Sequence, residues 1–155
     1  MKVNTYSSFL DDDGHSYLVK EHTYDYPKET YLNDSAKIVT LMNELFYMDK
    51  LDTEHVYMLC TNIKCRPTAI FHVSSGTVNK SLISPREILI KALLSNSVNI
   101  IIVHNHPSGS SWPSKEDHLV TKRLKEACEI IGLNLVDHII ISGNESYSFA
   151  QRHLL

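Results

Sequence analysis

The chain has 155 residues, enough for one buried core, and its 43% apolar and 21% charged residues are ordinary for a globular protein and exclude wholesale disorder. Its formal net charge of −3, with no Lys/Arg cluster, gives no overall basic footprint for nucleic acid. No segment approaches about 18 continuous apolar residues and no basic-then-apolar leader opens the chain, while three cysteines without CxxC spacing exclude a disulfide framework and a cysteine zinc site; the expectation is a cytoplasmic protein with no membrane partner.

Val3 to about Tyr26 reads as two strands around the turn Asp11-Asp12-Asp13-Gly14, with Phe9, Leu10, Tyr17, Leu18 and Val19 at β-prone positions. The acidic triplet is a solvated turn, since adjacent carboxylates without spaced oxygen partners make a poor calcium site. Residues 1–33 are therefore expected to form a strand-rich arm on a core of residues 34–150, within one domain of 155 residues; the arm would cover a sheet edge or offer a β-surface for self-association.

Pro27 to Leu32 leads to a helix whose start signal is Asn33-Asp34-Ser35, with Ile38, Leu41, Met42, Leu45 and Met48 at helical spacing as a core-facing stripe. The helix gives way to a strand near Glu54, within Leu51-Asp52-Thr53-Glu54-His55-Val56. Strands His55 to Cys60 and Thr68 to Val73 then pair through Asn62-Ile63-Lys64-Cys65-Arg66-Pro67, with His72 expected to face the surface. Gly76 and Asn79 mark a turn before a helix opened by Ser84-Pro85-Arg86-Glu87, where proline at the first helical position and a glutamate three residues after serine predict a capping box.

The most informative stretch follows. Ile100-Ile101-Ile102-Val103 reads as a strand buried on both faces, and the chain turns polar abruptly at His104-Asn105-His106-Pro107. Extended backbone repeats with period two, so His104 and His106 project to one side, roughly 7 Å apart at Cα, and both imidazoles can meet one ion while Asn105 points away. Ser108-Gly109-Ser110-Ser111 is turn chemistry, with Trp112 expected to line an entrance or to pack under the turn.

Ser114, with Asp117 three residues on, then has the spacing of a helix N-cap and its first-turn acid. The helix carries Leu119, Val120, Leu124, Ala127, Cys128 and Ile131 on its apolar face and stops at Gly132, while Lys115, Lys122, Arg123 and Lys125 form its solvated side. Asp117 can face back to the strand end. Two histidines and an aspartate leave the fourth position of a tetrahedral zinc open to water, the arrangement of a catalytic rather than a closed structural site. Capping and ligation are expected to compete: an Asp117 bound to metal would not also reach the Ser114 backbone. A last strand, Leu135 to Ile141, is interrupted by Asp137 and His138, either a second layer around the ligands or a strand-end pair.

The order His104-x-His106, seven residues, Ser114, two residues, Asp117 is similar to the metal motif of the JAMM (MPN-domain) metalloproteins. Gly76-Thr77-Val78-Asn79, Ser84-Pro85-Arg86-Glu87, His104-Asn105-His106-Pro107-Ser108-Gly109, Pro113-Ser114-Lys115-Glu116-Asp117 and Asp137-His138-Ile139-Ile140, in that order, resemble the RadC family over about residues 34 to 150. The resemblance implies an α/β domain with a mixed sheet and about three helices, similar to the cytidine-deaminase fold. It implies hydrolysis of peptide or isopeptide bonds by zinc-activated water, with one Zn²⁺ on His104, His106 and Asp117 and water as fourth ligand. Ser114 would then help stabilise the oxyanion.

An upstream glutamate that holds and deprotonates the water is also implied. Glu54, at a helix-to-strand junction, is the expected residue; Glu87 competes but has a capping role, and Glu116 lies about 100° around its helix from Asp117. Longer RadC-like proteins carry an N-terminal helix-hairpin-helix region for DNA backbones, for which there is no room before residue 34, so a short form is expected. Protein or peptide is the expected substrate; the alternatives are a DNA-repair or DNA-processing metalloprotein and a non-catalytic metal-stabilised module. His-Asn-His is not the HNH nuclease signature, whose residues are dispersed, and the deaminase Cys-x-x-Cys pair is absent.

Overall fold

A computed structural model describes residues 1–27, 31–76 and 83–155. In chain order the described elements are β1 Lys2–Leu10, β2 Ser16–Asp25, α1 Ser35–Phe46, β3 Glu54–Thr61, β4 Pro67–Gly76, α2 Pro85–Leu94, β5 Asn99–Asn105, α3 Lys115–Ile131, β6 Asn134–Ser142 and β7 Glu145–Ser148. The strands form one mixed seven-stranded sheet in the order β2-β1-β4-β3-β5-β6-β7. β1 is parallel to β4 and β5 to β6; the remaining neighbours are antiparallel.

Side-chain alternation on β5 decides the layering. Ile101 and Val103 pack with Ile38, Leu41 and Met42 of α1, while Ile100 and Ile102 pack with Ile88 and Ala92 of α2 and Val120, Leu124 and Cys128 of α3. Helices thus cover both faces of the strand, which is why its apolar run is continuous rather than alternating. Each fully buried isoleucine contributes roughly 1.5–3 kcal/mol over an exposed one. The same parity carries His104 onto the α3 face, at the end of the strand where α3 begins.

The expected α/β class, mixed sheet and three helices are all observed. α1 is capped by Asp34, whose side chain accepts from the Ala36 N–H at 2.8 Å, and its stripe is buried at Ile38, Leu41 and Met42. The N-terminal hairpin does cover an edge: β1 pairs with β4, leaving β2 outermost. His72 is exposed as expected and meets the His55 ring, Nδ1 to Nε2 at 3.1 Å.

Four expectations are corrected. Ser84 is the N-cap of α2 but makes no side-chain cap hydrogen bond, so the predicted box with Glu87 does not form; both residues are exposed, where solvent competes with a side-chain cap, and Pro85 has no N–H to satisfy. Leu119 is 62% exposed and Ile131 is also exposed, because the face of α3 that meets the sheet is the narrower one of Val120, Leu124 and Cys128. β5 runs on through His104 and Asn105 rather than ending at Val103, since both residues stay paired with β6. A short strand, β7, follows the last predicted one and pairs with β6. Of the turn expected at Gly76 and Asn79, Asn79 lies outside the described residues, as does the Thr77-Val78-Asn79 part of the first motif.

Candidate metal centre

Antiparallel pairing of β3 with β5 sets Val56 opposite His104, so Glu54, two residues earlier on the same face, comes to the end of β5 where the histidines lie. α3 enters from the other side with Asp117 in its first turn. Glu54, His104, His106, Ser114 and Asp117 are therefore brought together from three elements and the one loop that joins β5 to α3, whereas Glu87 sits exposed in the first turn of α2.

The two Nε2 atoms of His104 and His106 face each other at 3.0 Å. Asp117 flanks both, with Oδ1 3.4 Å from His104 Nε2 and Oδ2 3.6 Å from His106 Nε2, and Glu54 Oε1 lies 3.9 Å from His104 Nε2. Ligand atoms placed about 2.0–2.2 Å from a tetrahedral metal are about 3.3–3.6 Å apart, so the His-His-Asp spacing suits one ion after a small relaxation. Glu54, His104 and His106 can also hold a metal ion, each offering one ligand atom within 4.8 Å of the others. Asp117 is the nearer carboxylate to His104, by 3.4 against 3.9 Å.

The donor chemistry fits a cation as well as the spacing does. His106 Nδ1 lies 2.9 Å from the Ser110 carbonyl, which can only accept, so the Nδ1 proton is fixed there and Nε2 is the nitrogen turned to the centre. Two ring nitrogens at 3.0 Å repel unless a proton or a metal lies between them. His104 is 1% exposed, and burial, reinforced by His138, pushes its pKa well below the usual imidazole range. The Asp117 carboxylate, 3.6 Å from His106 Nε2, holds the pKa of His106 above that range, against the opposing effect of burial. Burial opposes ionisation of Asp117, but His106, His104 and the Ser114 hydrogen bonds outweigh it and keep the carboxyl well below the usual range. Burial raises Glu54, against the pull of His106.

Capping and site-facing do not compete at Asp117, contrary to the expectation from side-chain length. Oδ2 accepts from the Ser114 N–H at 2.7 Å and from Ser114 Oγ at 2.6 Å, while the Asp117 N–H donates to Ser114 Oγ at 3.1 Å, a complete capping box. Oδ1 is left for His104. A carboxylate has two oxygens, and the two tasks use different ones. Ser114 meanwhile donates its only hydroxyl proton to Asp117.

Several supporting residues were not named as such by the sequence. Asn105, on the opposite face from the histidines, clamps both sides of Glu54: its Oδ1 accepts from the His55 N–H at 2.7 Å and its Nδ2 donates to the Thr53 carbonyl at 2.9 Å. Ser142 Oγ donates to the His106 carbonyl at 2.8 Å. His138, one of the two readings of the Asp137-His138 pair, proves to touch a predicted ligand, with Nε2 2.9 Å from His104 Nδ1, and Thr121 Oγ1 meets its other nitrogen at 2.6 Å. The recoverable signals were polar residues in apolar strands and, for Thr121, its position one turn after Asp117. Asp137 faces away and ties down the C-terminal turn through Ser148 Oγ at 2.6 Å and the Ala150 N–H at 3.0 Å. Trp112 is 66% exposed, yet its ring meets that of Tyr147 with centroids 5.5 Å apart, and Arg152 lies over it at 5.6 Å from the centroid. Among the described residues no helix is long and apolar enough to cross a membrane.

Residues 32–154 match the model of the RadC-like JAB domain. A UPF0758 protein of Staphylococcus epidermidis is 42% identical over 129 residues, which is 83% of this chain and 55% of the relative. A UPF0758 protein of Thermotoga maritima is 40% identical over 120 residues, 77% of this chain and 53% of the relative. A third, from Desulforamulus reducens, is 45% identical over 105 residues, 68% and 46% respectively. The chain thus spans about half the length of these relatives. The domain match takes in every residue of the His-His-Asp-Glu cluster, and with it the resemblance drawn from the separated motifs becomes an assignment: the chain belongs to the RadC family of JAB-domain proteins.

Proposed function

We propose that this chain is a zinc-dependent hydrolase of peptide or isopeptide bonds, with His104, His106 and Asp117 as metal ligands and Glu54 as general base. The observation that carries the reading is the convergence of two imidazole nitrogens and a carboxylate oxygen, 3.0 and 3.4 Å from one another and so near tetrahedral spacing, with a second carboxylate just beyond at 3.9 Å. A zinc ion there supplies a water whose pKa is lowered to about 7 and polarises a carbonyl oxygen. Glu54 accepts the proton of the attacking water and returns it to the leaving amine. Its partly buried carboxyl, raised by desolvation, is a stronger base than an exposed glutamate, which moves it toward the pH at which such transfers are efficient. Asn105 keeps it on station by holding the backbone on both sides.

Ser114 faces the developing oxyanion once its hydroxyl turns from Asp117, which retains the Ser114 N–H in exchange. Trp112, exposed on the loop whose Ser110 carbonyl holds His106, offers apolar surface to the chain being cut. The test is direct. Zinc content of purified protein is measured together with cleavage of a panel of peptide and isopeptide substrates by the protein and by Glu54→Gln. One equivalent of zinc in both, with cleavage confined to the parent, is the expected result. Protein that takes up no zinc sinks the proposal, and zinc-loaded protein inert to the whole panel favours a metal that only ties β5 to α3.

A further inference from the structure

We propose that Thr121 and His138 are positioning residues that fix the tautomer of His104, holding its Nδ1 protonated and presenting an unprotonated Nε2 to the centre. The inference rests on the metal-binding reading only for the use of that nitrogen; the tautomer itself follows from hydrogen bonds that need no metal.

The relay is read from its far end. The Asp117 main-chain carbonyl has lone pairs and no proton, and Thr121 Oγ1 lies 2.5 Å from it, so the single Thr121 hydroxyl proton must point there. Thr121 Oγ1 then has only lone pairs for its next neighbour, His138 Nδ1 at 2.6 Å, which must carry a proton to meet it. His138 is 1% exposed and stacked on Phe149, with ring centroids 5.0 Å apart and planes 10° from parallel, an environment that keeps the ring neutral. A neutral ring protonated at Nδ1 has an acceptor at Nε2. That atom sits 2.9 Å from His104 Nδ1, which must therefore be the donor. Since His104 is also buried and neutral, its Nε2 is left with a lone pair, aimed at the position where His106 and Asp117 converge. Each step follows from counting protons, and reversing one would set two acceptors or two donors face to face within hydrogen-bond distance.

The backbone shows how His138 came to this place. Between Ile100 and Ile101 of β5 the partner in β6 jumps from Leu135 to Asp137, so Val136 is an extra residue. Without that bulge the period of two would put Asp137 on the α3 face and turn His138 to the α1 face. With it, His138 shares the face of Ile102 and His104. Asp137, now on the other face, anchors Ser148 and Ala150 and so seats Phe149 against the His138 ring. Thr121 follows Asp117 by one helical turn, so a single helix supplies both the carboxylate of the centre and the first member of the relay.

The test reads the tautomer itself, in metal-free protein labelled with ¹⁵N, by the imidazole nitrogen shifts. The expected result is His104 with protonated Nδ1 and pyridine-like Nε2; a His104 protonated at Nε2 instead would overturn the proposal. Zinc affinity by chelator competition is the second arm. Thr121→Val removes the acceptor for His138 and should weaken zinc about 10- to 100-fold, the range for outer partners of metal ligands, while Thr121→Ser stays near the parent. If Thr121→Val does not fold, His138→Gln, whose amide can accept from His104 and donate to Thr121, should hold zinc more tightly than His138→Phe. Equal affinities within either pair overturn the relay. A parent protein that binds no zinc instead defeats the metal reading, and the metal-free spectra still decide the tautomer.

Discussion

Asp117→Asn separates the two tasks that one carboxylate performs. The amide has one oxygen where the carboxylate has two, so it must choose a side. With its oxygen toward Ser114 it still accepts from the Ser114 N–H and Oγ, now 2.7 and 2.6 Å from Asp117 Oδ2, and its NH₂ faces His104. Turned the other way it would set NH₂ against two donors, at about 1–3 kcal/mol for each one left unpaired. The first orientation wins. The helix then loses a charge-assisted cap and the favourable charge at its N-terminus, together about 1 kcal/mol, or about 3 °C in Tm for a chain of this length, and the loss of the carboxylate's attraction to His106 and His104 adds to that cost. Metal affinity falls far more, beyond the roughly 100-fold that an outer partner is worth, because an NH₂ group cannot ligate. Urea unfolding of metal-free protein and zinc competition against a chromogenic chelator measure the two effects separately. Zinc affinity within about tenfold of the parent would refute the reasoning: Glu54, His104 and His106 would then be the ligand set, with Asp117 reduced to a cap.

Glu54→Gln should retain one equivalent of zinc while hydrolysis falls about 10²–10⁴-fold, as expected for a lost general base; loss of zinc itself would move Glu54 into the ligand set. Asn105→Ala leaves the His55 N–H and the Thr53 carbonyl without their partner and should destabilise the metal-free fold by about 2–4 kcal/mol in urea unfolding, with an unchanged midpoint arguing that water replaces the clamp. His138 has a pKa depressed by burial from 6.5 to about 4. Its unfolded form takes up a proton below the higher value and its folded form only below the lower one, so the stability tied to the neutral ring is complete above pH 6.5 and is lost as pH falls to about 4. That loss is about 3 kcal/mol, and the acid limb of metal-free His138→Gln should be correspondingly shallower than that of the parent; identical limbs would contradict the assignment. Gly132→Ala should cost about 1 kcal/mol, since the helix ends there at φ +75° with nothing near a new Cβ, so the penalty is backbone conformation alone; a neutral result in thermal melts would count against it.

Local chemistry was legible in the amino-acid order. The apolar run ending in His104-Asn105-His106 placed two imidazoles on one face because extended backbone alternates with period two, and Ser114 with Asp117 marked a helix start because a cap acts within four residues. The same locality made α1 and its stripe, the turn at Gly14 and the stop at Gly132 readable. Even so, a local signal can mislead. Ser84 and Glu87 have the letters of a capping box, yet no side-chain cap forms, since exposed groups at a helix start have water as an equal partner. The double use of Asp117 was hidden as well, because spacing counts residues whereas the box needs only one of two carboxylate oxygens.

Everything that crosses the sheet was decided by tertiary structure. Glu54 reaches the histidines because β3 lies beside β5 with Val56 opposite His104, a register set by which faces must be buried and not by any spacing along the chain. Asn105 was read as pointing away, and so it does; only the neighbouring strand gives it the two backbone groups that flank Glu54. One extra residue at Val136 determines the face on which His138 emerges, and a change of face reverses its meaning from strand-end polarity to partner of His104. The sequence by itself determined which groups were available and which short segments would present them. The sheet, through strand order, register and one bulge, determined which of them meet.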